Sequence, residues 1–350
     1  GLFDRLEHMT GIVERSLGTL EYRTFLVGTR VPAEVHEREA VVVAASGSEH
    51  AEPVNTELNR EIGRRLVERH GWVVEFKRPD VTTILDARFD HVTLNARPLF
   101  VYGRYRKLSR DVPQTHWPCR RCKGAGCNAC GLTGRQYETS VEELVAAPAV
   151  RAAEAQGATF HGAGREDVDA RCLGTGRPFV LELAEPRVRA LDLAALQSAI
   201  NEHAAPHAEV EGLSWTEREA VERVKAATGG KAYEADVSFD EAVPAERLLT
   251  VCRMLSPARV AQRTPSRVSH RRADKVRPRT VAEVRVLSHE GTGARLRIEG
   301  DAGLYIKELI GGDEGRTEPS LAGLLGVGAR CVALDVVHVD PPPGVASATE

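Results

Sequence analysis

The residues best suited to chemistry in this 350-residue chain lie between His161 and Phe179, in the stretch HGAGREDVDARCLGTGRPF. Arg165, Glu166, Asp167 and Asp169 fall within five positions, and Gly162, Gly164, Gly174 and Gly176 flank them. Glycine keeps the backbone sterically open, so a substrate can approach such a loop closely and meet a carboxylate there. The same composition also suits a solvated turn with local ion pairs, each worth little. These residues alone favour neither reading.

A second chemical cluster is Cys119-x2-Cys122-x4-Cys127-x2-Cys130. Each Cys-x2-Cys turn can aim two thiolates at one ion, and two turns complete a tetrahedral four-cysteine site. Four protein ligands leave no open position, so the metal is expected to be structural, with zinc ahead of an iron centre or a redox dithiol. Arg120, Arg121 and Lys123 would surround this knuckle with positive charge available for phosphate. Cys172, Cys252 and Cys331 are isolated and read as small buried apolar residues.

Charge narrows the partner. A formal net charge of -3 excludes a globally basic nucleic-acid binder. Yet Arg259–Arg279 carries eight basic residues, Arg267, Arg271 and Arg272 among them, against Asp274 alone. That concentration implies a polyanion held through its phosphates. Gly103–Arg110 adds Arg104, Arg106, Lys107 and Arg110 around Tyr105, a mixture suited to phosphate contact and base stacking as well as to an ordinary solvated loop. Seven cysteines, four of them clustered, suit a reducing compartment. No run of eighteen apolar residues and no signal-like opening occurs, so the expectation is a soluble cytoplasmic chain without a membrane partner.

The elements that must position these groups read as α+β. Residues 1–113 form a first region, with β-type runs at Phe25–Gly28 and Ala40–Ala45. A helix over Asn55–His70 places Leu58, Ile62 and Leu66 on one face and stops at Gly71. Strands are expected at Trp72–Phe76, Val81–Leu85 and Val92–Val101. Residues 114–135 hold the knuckle and 136–350 form the largest domain. In it Thr139–Leu144 starts a helix, Val180–Leu183 is a strand, and Leu191–Glu202 is an amphipathic helix. Val281–Val286 and Ala294–Glu299 are adjacent strands, and Cys331–Val339 is the terminal strand.

From about Gly103 onward, several separated motifs resemble, in order, the pseudouridine synthase family of archaea and eukaryotes that acts on the TΨC arm of tRNA. The motifs are Gly164-Arg-Glu-Asp-Val-Asp169 followed by Arg171-x-Leu-Gly-x-Gly-Arg-Pro-Phe179, Lys231-x-Tyr233, Gln262 to Arg272, and Tyr305-Ile306-Lys307. The resemblance implies that Asp167 is the catalytic carboxylate, acting as nucleophile or base. It also implies that Tyr233 stacks on an extruded uracil with Ile306 beneath it, that Lys307 pairs with Asp167, and that Leu334 forms another apolar wall. Arg165 would help hold the strand open, while Glu166 and Asp169 would structure the loop, Asp169 through Arg171 or Arg177. The first region resembles a THUMP domain, an RNA-binding module. The implied substrates are uridines 54 and/or 55 of tRNA, with no organic cofactor and no obligate protein partner. Part of the cysteine motif also resembles one repeat of the J-domain chaperone zinc motif. Two rival functions follow: a non-catalytic zinc-containing RNA-binding or chaperone-like protein, and a hydrolase using a catalytic metal on His161, Asp167 and Asp169.

Overall fold

The computed structural model describes residues 1–47, 51–271 and 273–344, with the side chains of His270 and Arg271 outside the description. The chain forms two compact units. One comprises Gly1–Leu99, Ala149–Thr159 and Glu182–Asp192; the other comprises Phe100–Pro148, Phe160–Leu181 and Leu193–Glu350.

The first unit contains α1 (Leu6–Leu17), β1 (Thr24–Arg30), α2 (Ala33–Ser46), α3 (Val54–His70), β2 (Val73–Val74), β3 (Val81–Asp86) and β4 (His91–Ala96). Its sheet runs β2-β1-β3-β4, with β1 parallel to both β2 and β3 and β4 antiparallel to β3. Leu6, Met9, Val13 and Leu17 of α1 and Leu58, Ile62 and Leu66 of α3 recur at helical spacing, and they pack with Phe25, Val27, Val81 and Leu85 of the strands. The α3 helix occupies the span the pattern indicates. Ala40–Ala45 does not form a strand, because it lies within α2, which buries no residue. A short continuous apolar run has no period of its own, and the flanking Ala and Glu residues propagate a helix through it.

The second unit is organised on a ten-stranded sheet. Its elements, some extending into the first unit, are β5 (Leu99–Lys107), α4 (Val141–Ala153), β6 (Gly157–Gly162), β7 (Ala170–Ala184), α5 (Leu193–Ala204), β8 (Ala208–Thr216), α6 (Glu219–Lys225) and β9 (Lys231–Phe239). They continue with α7 (Ala245–Met254), β10 (Ala258–Arg263), β11 (Val276–Glu290), β12 (Gly293–Gly300), α8 (Ile306–Gly311), β13 (Thr317–Glu318), α9 (Leu321–Leu325) and β14 (Ala329–Val339). The order is β13-β10-β11-β12-β9-β14-β7-β5-β8, with β6 paired to β7. The β11–β12 and β12–β9 pairings are antiparallel, and β14 is parallel to β7. The sheet is thus mixed, and the α+β class holds. The compact units change over at Leu99–Phe100 and not near residue 113. Arg97-Pro98 interrupts the run Val92–Val101, since proline cannot donate to a ladder, and the chain beyond it joins the large sheet as β5.

Candidate active site and cysteine knuckle

The loop between β6 and β7 carries Arg165 to Asp169, and backbone bonds fix both its ends. Ala163 N donates to Pro178 O over 2.9 Å, and Ala170 N donates to Asp167 O over 3.1 Å. Gly164 sits at φ +78°, and a Cβ there would stand 3.0 Å from the Lys231 Nζ, so this turn requires glycine. Beneath the loop, Glu166 is buried with Arg177. The Arg177 Nε lies 2.8 Å from the Glu166 Oε2, and the side chains are 2 % and 1 % exposed. The Tyr105 hydroxyl donates to the same carboxylate over 2.9 Å. Gln114 donates to the Tyr105 hydroxyl over 2.7 Å and to Gly164 O over 2.9 Å, and the Arg177 Nη1 donates to Ala163 O over 2.8 Å. A buried pair is tolerable only when its remaining polar groups are satisfied in this way.

Asp167 faces a different setting. Its Oδ2 lies 2.8 Å from the Arg267 Nη1 and 3.5 Å from the Lys307 Nζ, and 29 % of its side chain is exposed. Burial pushes its carboxyl pKa upward; Arg267 and then Lys307 outweigh that and bring it below the ordinary carboxylate value. Asp167 is therefore ionised at neutral pH. Arg267 also donates to the buried Glu308, with Nε 2.6 Å from Oε1, and the Lys307 Nζ lies 2.8 Å from both oxygens of Asp169. Asp169 thus pairs with Lys307, and not with Arg171, which pairs with Asp335, or with Arg177, which is taken by Glu166.

Asp167, Arg267 and Lys307 line a pocket of about 520 Å³ together with Arg165, Tyr233, Ile306 and Leu334. The strand register explains the convergence: Leu334 of β14 lies opposite Ala170 of β7, where the loop ends, and Val336 lies opposite Tyr233 of β9. Tyr233, Ile306 and Leu334 are all buried. Tyr305-Ile306-Lys307 does not continue as a strand but turns into α8. Buried Gln262 holds that turn in both directions, accepting from Tyr305 N and donating to Tyr305 O, each over 2.9 Å. Arg165 lies over the Trp117 ring, with its guanidinium carbon 4.9 Å from the centroid.

The basic residues divide by placement. Lys107 is fully buried, and its ammonium donates to Val112 O over 2.9 Å, Val168 O over 2.7 Å and Asp167 O over 3.2 Å. It braces the loop from within and is out of reach of a surface phosphate. Arg104 donates to Gly176 O over 3.0 Å and Val339 O over 2.6 Å, and the Arg106 Nε lies 2.6 Å from Glu209. Arg110 donates to Asp169 O over 3.0 Å and Leu334 O over 2.8 Å, joining the loop to the apolar wall. Arg259, Arg263 and Lys275 are exposed. Arg272 and the side chain of Arg271 lie outside the described residues. His161, Asp167 and Asp169 do not gather into a metal-ligating group among the described residues, which removes the geometry needed by a metal hydrolase.

The cysteines do gather. The sulfurs of Cys119, Cys122, Cys127 and Cys130 all lie within 4.8 Å of one another. Cys130 stands 3.9 Å from Cys122 and 3.8 Å from Cys127, close to the edge of roughly 3.8 Å that metal–sulfur bonds of about 2.3 Å give a tetrahedron. Gly126 N donates to the Cys122 sulfur over 3.2 Å, and Cys127 N and Gly134 N donate to the Cys130 sulfur over 3.2 Å each. Those last two bonds lower the Cys130 pKa to about 6. Gly134, at φ +72°, has Gly124 O only 2.3 Å from where a Cβ would stand, so the two turns close only on glycine. The residues fit a metal ion.

Sequence motifs located the Asp167 loop, Tyr233, Ile306, Lys307 and Leu334, and the pocket unites them. In the sequence Arg267 reads as an RNA contact and nothing marks it as the nearer partner of Asp167. Tyr105 and Lys107 read as base-stacking and phosphate groups but brace the loop from within, and no motif marks Gln114 or Glu308. A basic run shows which residues are charged but not which one turns inward.

Comparison with known proteins agrees with this architecture. Residues 100–340 match the family model for the Pus10 C-terminal region, and residues 11–86 match the archaeal Pus10 THUMP domain. A tRNA pseudouridine synthase Pus10 from Methanothrix thermoacetophila is 46% identical over 97% of this chain and 75% of its own length. Another from Halorubrum lacusprofundi is 49% identical over 92% of this chain and 77% of its own. A chain of the Cbf5-Nop10-Gar1 complex is 21% identical, with a TM-score of 0.36 over 56% of this chain and 44% of that one, too slight a likeness to extend the argument. The chain belongs to the Pus10 family of tRNA pseudouridine synthases, with an archaeal-type THUMP domain preceding the family's C-terminal region.

Proposed function

We propose that this chain converts uridine 54 and/or 55 in the TΨC loop of tRNA to pseudouridine, with Asp167 as the catalytic carboxylate. The observation that carries the reading is the ionised Asp167, held by Arg267 and Lys307 at the edge of a pocket with Tyr233, Ile306 and Leu334 on its walls. The reaction breaks N1–C1′, turns the uracil and forms C5–C1′; the C5 proton leaves and N1 gains one. Atoms and electrons balance within the nucleotide, so no organic cofactor is required. Attack on the sugar and abstraction of a sugar proton both require an ionised carboxylate, which the two cations provide. The uridine must first leave its stack. Tyr233 would face the extruded base, and Ile306 and Leu334 would keep water from it. Arg165, fixed over Trp117, would sit against the displaced strand.

The THUMP domain and the exposed Arg259, Arg263 and Lys275, with Arg271 and Arg272 of the same basic run in sequence, would hold the tRNA backbone. The knuckle would carry a structural zinc ion, since four thiolates leave no position for substrate. Emission spectrometry should find one zinc per chain in the wild type and none in Cys130→Ser. The setting would be the cytoplasm, with no obligate protein partner. Carbodiimide mapping of an unmodified tRNA transcript after incubation with the chain is the test. New stops at position 54 or 55 would support the proposal. Tight binding without any stop would contradict it and favour an RNA-binding protein without chemistry.

A further inference from the structure

The cations lining the pocket fall into two sets. Arg267 and Lys307 face Asp167, Asp169 and Glu308; Arg177 faces Glu166; Arg165 rests on Trp117. Lys225 and Lys231 line the same pocket, and neither ammonium has an ion-pair or hydrogen-bond partner among the described residues. Lys225 ends α6 and is exposed, while Lys231 opens β9 and is only partly exposed. Lys231 packs so near the catalytic loop that a Cβ on Gly164 would lie 3.0 Å from its Nζ.

A partly desolvated ammonium with no ion-pair or hydrogen-bond partner, only the more distant field of Glu166, is unfavourable in the free protein. The electrostatic strain is visible in Lys231, whose pKa falls to about 8 through burial and then through the nearby Arg177 charge. An arriving anion would relieve it. Lys231 and Tyr233 lie on one face of β9, two residues or about 7 Å apart. A nucleotide whose base meets Tyr233 therefore has its backbone within reach of Lys231. A neutral uracil carbonyl would bring no charge to the Lys231 ammonium, whereas each RNA linkage carries a full negative charge; Arg177 is already paired with Glu166.

We propose that Lys231, with Lys225 at the pocket mouth, forms a phosphodiester subsite that grips the RNA backbone beside the extruded uridine. The inference rests on the pseudouridine synthase reading and adds a substrate-binding role for the two lysines. The grip would be made as the nucleotide enters, so it would strengthen binding more than it accelerates the chemical step.

The experiment compares wild type, Lys231→Met and Lys231→Arg in binding to a TΨC-arm RNA over a range of KCl concentrations, with single-turnover rates measured at saturating enzyme. Lys231→Met should weaken binding about tenfold and reduce the log–log salt slope by roughly 0.7–0.9, the loss of one phosphate contact. Its saturating rate should stay within about threefold of wild type, and Lys231→Arg should restore the slope. A neutral methylphosphonate at one linkage flanking the target should weaken wild type and leave Lys231→Met unaffected. An unchanged slope in a Lys231→Met protein of normal melting temperature would overturn the inference. So would a lost saturating rate with the slope intact, which would put Lys231 on the base. Wild-type turnover separates the two levels: no pseudouridine from wild type rejects the enzymatic reading, whereas normal turnover with an unaltered Lys231→Met slope rejects only the subsite.

Discussion

Glu166 and Asp167 are adjacent in sequence, and their surroundings differ in almost every respect. Glu166 is enclosed, with Arg177 and Tyr105 satisfying its carboxylate and Gln114 completing the network. Asp167 is partly open, with two cations nearby and the pocket before it. The comparison teaches that a charged residue in such a loop can serve the loop's shape or be left available for chemistry. Completeness of partnering tells the two apart. A fully satisfied buried carboxylate has no free lone pair facing a substrate; a carboxylate held ionised from one side does.

This contrast can be broken from either end. The largest effect is expected on the Glu166 side. Arg177→Met would leave a buried carboxylate uncompensated, and breaking such a pair destabilises by about 3–5 kcal/mol. Urea unfolding should lose that much, and turnover should fall because the loop no longer holds its shape. If stability were unchanged, the enclosed pair would not be the scaffold described.

A smaller effect is expected on the Asp167 side. Lys307 helps bring the Asp167 pKa below its ordinary value. For a carboxylate depressed in the fold, the associated stability is present above the unfolded pKa and is lost as pH falls through the lower folded value. Lys307→Met should therefore shift the acid limb of the turnover–pH profile toward neutral pH. An unmoved limb would mean that Arg267 alone governs the carboxylate.

Much of this was legible in the sequence where local spacing carries information. The Cys-x2-Cys pairs close within twelve residues, α3 displays Leu58, Ile62 and Leu66 on one face, and the Gly-rich flanks of the Asp167 loop mark a close approach. What could not be read depends on long-range register. Arg267 meets Asp167 across a hundred residues, and only the folded sheet decides that this arginine of the basic run faces inward. Lys107 looks like surface charge in Gly103–Arg110, yet as the last residue of β5 it is buried beneath the loop. Pairing of β5 in the large sheet also sets the unit boundary: Pro98 breaks the strand locally, but only the sheet shows that the chain beyond it belongs to the second unit.

The central claim is that the ionised Asp167 carboxylate drives the isomerisation. Forming C5–C1′ expels the hydrogen on C5, so tritium release from tRNA transcribed with 5-tritiated uridine counts each event directly. Wild type should release tritium in proportion to its modified sites, whereas Asp167→Asn should release none while binding tRNA with near-normal affinity. Tritium release by Asp167→Asn at the wild-type rate would contradict the claim.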